Sequence, residues 1–464
     1  MSTLKSDLQS FLRPDQVSDN VSILAQHSRD ESYHEPVLPD VVVFPESTDD
    51  VVKIVSYASA NQIPIVPFGT GTSLEGHVVP IQRGISMDMM RMNKVLEVRP
   101  DDFLVCVQPG VLKEQLNEEL GRYGLFFAVD PGANASLGGM AATNASGTTT
   151  VRYGAMRDNV RSLEVVLPNG TVIHTASLAA KSSSGYNLTG LFVGSEGTLG
   201  VITELWVRVW GIPEKTIAAR AEFPDVESCV RASTAIVGAG IPVVRMELVD
   251  GPFVEAFNKY TGSTFSPNPT LFLEFNGNAR NVEADVEAAM EIIQEEGCTT
   301  FDHVSDDQAR HTMWETRHNA LYAFMHQYPG YGHMSTDVCV PVSKLPAAVV
   351  RAKELLDETG ARGAIVGHVG DGNFHVTMAV RTDDPEDVAR ANRFNEALVH
   401  TSLELGGTCT GEHGVGLGKM KYQEIEHGEA ISVMRAIHSI LDPLNIMNPG
   451  KLVDSPATVE SHHA

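Results

Sequence analysis

The residues of this chain best equipped for chemistry stand near its C-terminus. Gly367-His-Val-Gly-Asp-Gly-Asn-Phe-His375 carries two histidines seven positions apart, framed by glycines that let the backbone turn tightly. Thr410-Gly-Glu-His-Gly-Val-Gly416 sets a carboxylate beside a third histidine. Two imidazoles and a carboxylate suit a divalent transition metal, zinc or manganese, with His368, His375 and Glu412 as ligands and open positions for substrate and water. A metal lowers the pKa of a hydroxyl bound to it, and His413, kept neutral by the same positive charge, is placed in sequence to take that proton. One histidine among 17 is more often a packed or surface residue than a ligand. This pair differs because both members share one glycine-punctuated segment entering a strand. Two alternatives stay open on the residues alone. Asp371 could be the carboxylate, and His413 could be a fourth ligand with Glu412 a bystander.

Such a site needs elements to hold it, and 464 residues suffice for two or three hydrophobic cores. No run of 18 apolar residues is present, so no membrane-spanning helix is expected. The N-terminus lacks the apolar stretch of a signal peptide, is poor in arginine and contains acids, which argues for the cytoplasm or, after processing, a mitochondrial matrix; peripheral attachment to an inner membrane is compatible with both. Five scattered cysteines without a C-x-x-C pair read as reduced thiols. A net charge of −25 argues against nucleic acid and repels small anions, so an anionic substrate requires local cations.

Along the chain, residues 1–36 read as a polar helical lead-in. Pro39–Phe44 is strand-like, Ser47 is an N-cap with acids in the first turn, and Val51, Val52, Ile54, Val55 and Ala58 follow at helical spacing. Gln62–Pro67 returns to strand and enters Phe68-Gly-Thr-Gly-Thr-Ser-Leu-Glu-Gly76. This loop is neither a nicotinamide fingerprint nor a Walker A loop. Its N–H groups and hydroxyls could still meet a pyrophosphate, although a plain glycine turn between strands is an equal reading. Asp130–Gly147 contains almost no bulky side chain and is expected to approach something flat rather than to build a core. Gly194–Thr203 is a second small-residue loop entering a β-branched strand, and Leu163–Ile173 reads as a hairpin. From 213 to 400, helix and strand alternate: Thr270–Phe275 and Val338–Val342 as strands, Val282–Glu296 and Lys344–Thr359 as helices stopped by Gly297 and Gly360, and Trp314–Ala323 as one helix. A helix is expected around 429–441 and a disordered tail from Ser455 to Ala464.

The order PFGTGTSLEG, PGANASLGGMAATNASG, YGAMRDNV and GSEGTLGVIT resembles the FAD-binding domain of the vanillyl-alcohol-oxidase (PCMH-type) flavoproteins. WETRHNALYA, TDVCVPVSKLP, GHVGDGNFHV and GGTCTGEHGVGLGK extend the resemblance over residues 37–453, and it is strongest to the cytochrome-linked, FAD-dependent D-lactate dehydrogenases within that family.

The resemblance implies an α+β architecture: lead-in 1–36, a two-subdomain FAD-binding domain at 37–212, an antiparallel-sheet cap over substrate at 213–400, a C-terminal segment at 401–453 returning to the flavin, and a tail at 454–464. It implies noncovalent FAD, His77 not matching a tethering motif, with flavin contacts at Pro67, Gly69, Thr70, Gly71, Thr72, Ser73, Pro131, Gly132, Ser136, Gly138, Gly139, Thr143, Ser146, Gly147, Tyr153, Gly154, Glu196, Gly197, Gly200, Ile202 and Asn448. It also implies that Arg317 grips a substrate carboxylate while His413 acts as base. The expected reaction oxidises a small D-2-hydroxy acid, lactate above all, and passes electrons to cytochrome c, a quinone or an electron-transfer flavoprotein. D-2-Hydroxyglutarate and glycolate dehydrogenases are the alternatives within the family. The former tend to carry threonine, lysine and asparagine where this chain has Leu321, Ser335 and Thr377, so a small, largely apolar substrate side chain is expected. A non-heme iron oxygenase would leave the glycine loops without purpose, and a non-catalytic flavin-binding subunit would have no need of the intact site residues.

Overall fold

The computed structural model describes residues 3–454. The expected tail from Ser455 therefore lies outside the described residues. The chain divides into two compact units, one of them formed by the residues up to Gly147, by Gly154–Ile212 and by those from Glu412 onward. The other is formed by Thr148–Tyr153 and Pro213–Gly411. Helices alternate with largely antiparallel sheets, which is the α+β class read from the sequence. No helix among the described residues is long and apolar enough to cross a membrane.

The first unit holds two larger sheets and a two-stranded one, Leu125–Phe126 with Trp210–Gly211. In the first of the larger two, the strands run Val17–Ser18, Val41–Val43, Ile85–Asp88 and Ile65–Phe68, with the last three mutually parallel. The helix Thr48–Asn61 starts where Ser47 Oγ accepts the Asp50 N–H at 3.2 Å, and it buries Val51, Ile54, Val55 and Ala58. The N-terminal lead-in is part of this core through Leu8, Leu12 and Val17. The second sheet is antiparallel, in the order Val95–Arg99, Leu104–Val107, Val201–Arg208, Val160–Val166 and Val172–His174. Here the small-residue segment corrects the expectation that it builds no core. Its short helix Leu137–Ala142 turns Leu137, Met140 and Ala141 inward, and Ala145 follows them. Few apolar residues suffice because a helix gathers them on one side.

The C-terminal chain returns to the first sheet. Ile65 N–H donates to Ile446 O at 2.7 Å, Asn448 N–H donates to Ile65 O at 2.7 Å, and Ile446 and Met447 enter the core.

The second unit is organised on an antiparallel sheet whose order is Thr300–Val304, Lys215–Glu222, Thr270–Gly277, Val243–Val249, Gly363–His368, Asn373–Val380 and Gly332–Ser335. Val338–Cys339 pairs with Asn373 and Phe374. That strand is shorter than the sequence suggests. Pro341 has no N–H for the ladder, and a 3-10 turn begins directly after it. The expected single helix over Trp314–Ala323 is two, Asp307–His318 and Ala320–His326, broken at Asn319, where ψ is 3°. Trp314, Ala320, Ala323 and Phe324 pack with Val249, Phe272, Val366 and Ala379 in one core. That face of the sheet also carries the histidines.

A candidate active site

His368 ends one strand of the second unit and His375 lies on the next, joined by the turn Val369–Gly372. Val366 pairs with His375, so the two imidazoles share a face of the sheet, with ring centroids 5.4 Å apart and planes at 85°. The glycines permit this turn. Gly372 has φ +91°, and a Cβ there would collide with Val340 O.

The hydrogen bonds fix the tautomers. His375 Nδ1 lies 2.9 Å from Thr336 O, and His368 Nδ1 lies 2.6 Å from a Glu247 carboxylate oxygen. Both oxygens can only accept, so each Nδ1 carries a proton and each neutral ring keeps its lone pair on Nε2. This donor set fits a metal, because ligating histidines commonly direct the far N–H to a carboxylate or a carbonyl.

Glu247 was not singled out by the sequence. It lies on the strand Val243–Val249 directly opposite His368 and is fully buried. Its second oxygen accepts from Arg317, at 2.9 Å from Nε and 2.7 Å from Nη2. Burial alone would raise the Glu247 pKa, but attraction to His368 and Arg317 holds the carboxyl below its usual range. Arg317 thus turns its Nε–Nη2 edge to Glu247, and among the described residues its Nη1 finds no acceptor, which leaves the Nη1–Nη2 edge as the one for a second carboxylate. Thr377, two residues beyond His375, faces Ser335 with their hydroxyl oxygens 3.1 Å apart.

Asp337 is a second acid that the sequence reading missed. It is fully buried and accepts from Asn373 Nδ2 and from Thr410 Oγ1, both at 2.7 Å. A Cβ on Gly411 would collide with Asn373 Nδ2. The path of the chain is therefore fixed up to Gly411, the residue before Glu412.

In the first unit, the loop Gly69–Ser73 follows the strand that contains Pro67. Among the described residues, the N–H groups of Thr70, Gly71, Thr72 and Ser73 find no protein acceptor. Gly69 lies so close to Ser136 Oγ that a Cβ would overlap it, and that hydroxyl is buried without a hydrogen-bond partner among the described residues. Ser136 begins the helix that carries Gly138 and Gly139, while Thr143 closes it and donates to Gly139 O at 3.2 Å. Gly197 approaches Pro67 within 3.2 Å of a notional Cβ. Three loops distant in sequence thus converge. A cavity of about 370 Å³ adjoins them, lined by Phe68, Thr70 and Gly71 together with Ala25, Gln26, Arg29, Asp30 and Glu31 from the lead-in. Asp30 Oδ2 is a further buried oxygen without a partner among the described residues.

The other residues expected at the flavin have these surroundings. Tyr153 belongs to the second unit, where its hydroxyl lies within 3.3 Å of Asn276. Ile202 packs in the core, and Gly200 lies against Val165. Pro131 O accepts from Lys113 Nζ at 3.3 Å, whereas Gly132 has nothing within 4 Å of a notional Cβ. Gly147 lies against Asp130, and Gly154 against Asp158. Ser146 Oγ donates to Glu412 at 3.2 Å. Glu196 is buried. Its carboxylate accepts the N–H groups of Val415 and Gly416 at 2.7 and 2.9 Å, and its carbonyl accepts from Asn448 Nδ2 at 2.7 Å. His413 Nδ1 stands 3.9 Å from a Glu75 oxygen, and Lys419 Nζ stands 3.5 Å from the same atom. Lys451 is buried with its ammonium on Val79 O and Asn448 Oδ1, and burial pushes its pKa down to about 8.

Two family models match the sequence: an FAD binding domain over residues 39–176, and the C-terminal domain of FAD linked oxidases over residues 212–452. The chain belongs to the FAD-linked oxidases. A probable mitochondrial D-lactate dehydrogenase of Danio rerio is 45% identical to this FAD-linked oxidase over 98% of its chain and 92% of the relative. A mitochondrial D-lactate dehydrogenase [cytochrome] of Arabidopsis thaliana is 43% identical, over 97% and 80%. The crystal structure of p-cresol methylhydroxylase with substrate bound has the same fold, with a TM-score of 0.79 at 17% identity and 98% of both chains covered. The resemblance read from the motifs is borne out, and FAD is the cofactor of this oxidase. The donor N–H groups of the 70–73 loop and the orphaned Ser136 hydroxyl beside it fit a pyrophosphate.

Proposed function

We propose that this FAD-linked oxidase converts D-lactate, and similar small D-2-hydroxy acids, to the 2-oxo acid. The observation that carries this reading is the pair of imidazoles, His368 and His375, each with Nδ1–H on an accept-only oxygen, beside an arginine with one guanidinium edge available. The two D-lactate dehydrogenases among the relatives support the substrate class.

In this reading, His368, His375 and Glu412 would hold zinc or manganese, which would supply a positive charge that acidifies a substrate hydroxyl. Bound FAD, held noncovalently, supplies the hydride acceptor. Arg317 grips the substrate carboxylate with its Nη1–Nη2 edge and sets the orientation of the Cα–H bond. His413 takes the hydroxyl proton as hydride leaves Cα, so the carbon loses two electrons and the oxygen loses its proton. A small apolar side chain suits a site where Leu321, Ser335 and Thr377 stand. The acceptor that reoxidises the flavin is a respiratory one, cytochrome c in the first instance. The name of the Arabidopsis relative supports that choice, and the mitochondrial relatives support a mitochondrial location.

The test is turnover before and after chelation. Protein stripped of metal but retaining FAD should lose D-lactate-driven reduction of an artificial dye, and zinc or manganese should restore it. Full turnover in stripped protein would contradict the metal-assisted mechanism.

A further inference from the structure

We propose that Glu247 is the positioning residue that couples metal binding to substrate binding, one carboxylate oxygen orienting His368 and the other orienting Arg317. This deepens the proposed function and rests on it.

Glu247 is the acid in an otherwise largely apolar strand, and its register places it directly across from His368. At full burial a carboxylate is retained only where its oxygens are satisfied. Here one oxygen lies 2.6 Å from His368 Nδ1, and the other lies 2.9 and 2.7 Å from Arg317 Nε and Nη2. The first contact fixes the Nδ1–H tautomer, aims Nε2 and raises the ring's basicity toward a cation. The second holds the guanidinium by its Nε–Nη2 edge, so the Nη1–Nη2 edge is presented in one orientation. One side chain thereby sets the angle between a metal ligand and a carboxylate-binding group, on a rigid strand rather than a loop. An amide cannot do this. Its single oxygen accepts from either His368 or Arg317, and its NH2 then faces the other donor.

The experiment compares wild type with Glu247→Gln, as FAD-loaded protein, in three readings. These are zinc affinity by competition with a fluorescent chelator, KM and kcat for D-lactate at saturating zinc, and FAD occupancy with thermal midpoint as controls of folding. The zinc dissociation constant should rise about tenfold to a hundredfold. KM should rise by a similar factor, with a smaller fall in kcat and unchanged FAD occupancy. Should the amide prevent folding, Glu247→Asp keeps the charge but withdraws it by one methylene, and both quantities should rise less. An unchanged zinc constant or an unchanged KM in a folded variant overturns the coupling. Wild type that binds no zinc, or binds it as tightly after His368→Ala, overturns the metal reading itself, which is a distinct result.

Discussion

His77 and Glu196 meet inside the first unit, imidazole Nε2 3.2 Å from a carboxylate oxygen, with both side chains almost fully buried. The contact is poorly aligned for a hydrogen bond, so the attraction is chiefly between charges. Glu196 also takes the N–H groups of Val415 and Gly416, and a Cβ on Gly414 would stand 2.5 Å from His77 Nε2. The pair therefore pins the turn that follows Glu412 and His413.

This pair gives the unit a pH-dependent stability. Burial opposes the charge on His77, but Glu196 outweighs it and raises the pKa above the ordinary 6.5. A raised histidine contributes stability that is complete below its unfolded pKa and is lost as pH rises through its folded pKa. Burial would likewise raise Glu196, but His77 and the two backbone N–H groups lower it below 4.5, and its contribution is lost as pH falls. Thermal midpoints of wild type should decline above about pH 6.5, and those of His77→Gln should decline less. Equal slopes in the two proteins would count against the pair.

Asn448 spans the same region, its Nδ2 donating to His77 O at 3.0 Å and to Glu196 O at 2.7 Å. Asn448→Ala leaves two buried carbonyls without that donor, at a cost of about 2–4 kcal/mol. Denaturant unfolding of the FAD-loaded protein measures it. A loss below about 0.5 kcal/mol would show that the carbonyls find other donors.

Arg317→Lys replaces a planar fork with a point charge that cannot serve Glu247 and a substrate carboxylate together. KM for D-lactate should rise about tenfold to a hundredfold, corresponding to the 1.5–3 kcal/mol of a charge-assisted hydrogen bond. Steady-state kinetics at saturating acceptor provides the check, and an unchanged KM would remove Arg317 from substrate binding.

The facing hydroxyls of Ser335 and Thr377 stand where the 2-hydroxyglutarate enzymes tend to carry lysine and asparagine. Ser335→Lys with Thr377→Asn should raise kcat/KM for D-2-hydroxyglutarate relative to D-lactate by about tenfold or more, because a site built to hydrogen-bond a group discriminates strongly. An unchanged ratio would place the substrate side chain elsewhere.

Glycine loops and the histidine motif were legible in the sequence because each is local. A G-x-G turn or two histidines flanking a tight turn declares its geometry within ten residues. The helix Thr48–Asn61 was legible for the same reason, its cap and apolar spacing lying side by side. Glu247 was not, since its partner His368 lies 121 positions away and only the antiparallel register joins them. Asp337 and Glu75 were missed likewise, as buried acids whose partners arrive from other segments, and His77 was weighed only as a flavin tether, its partner Glu196 being distant in sequence. The role of the lead-in as a cavity wall was hidden by its polarity. Residues such as Arg29, Asp30 and Glu31 look like a solvated surface until the loop at Thr70 is placed beside them.

The most direct test of the central claim is anaerobic mixing of the purified, FAD-loaded protein with each enantiomer of lactate while the visible flavin band is recorded. D-lactate should bleach the band in a single reductive half-reaction and yield one equivalent of 2-oxo acid per flavin, and L-lactate should leave it intact. A band that persists with D-lactate and every other small D-2-hydroxy acid, or that bleaches equally with both enantiomers, would contradict the account.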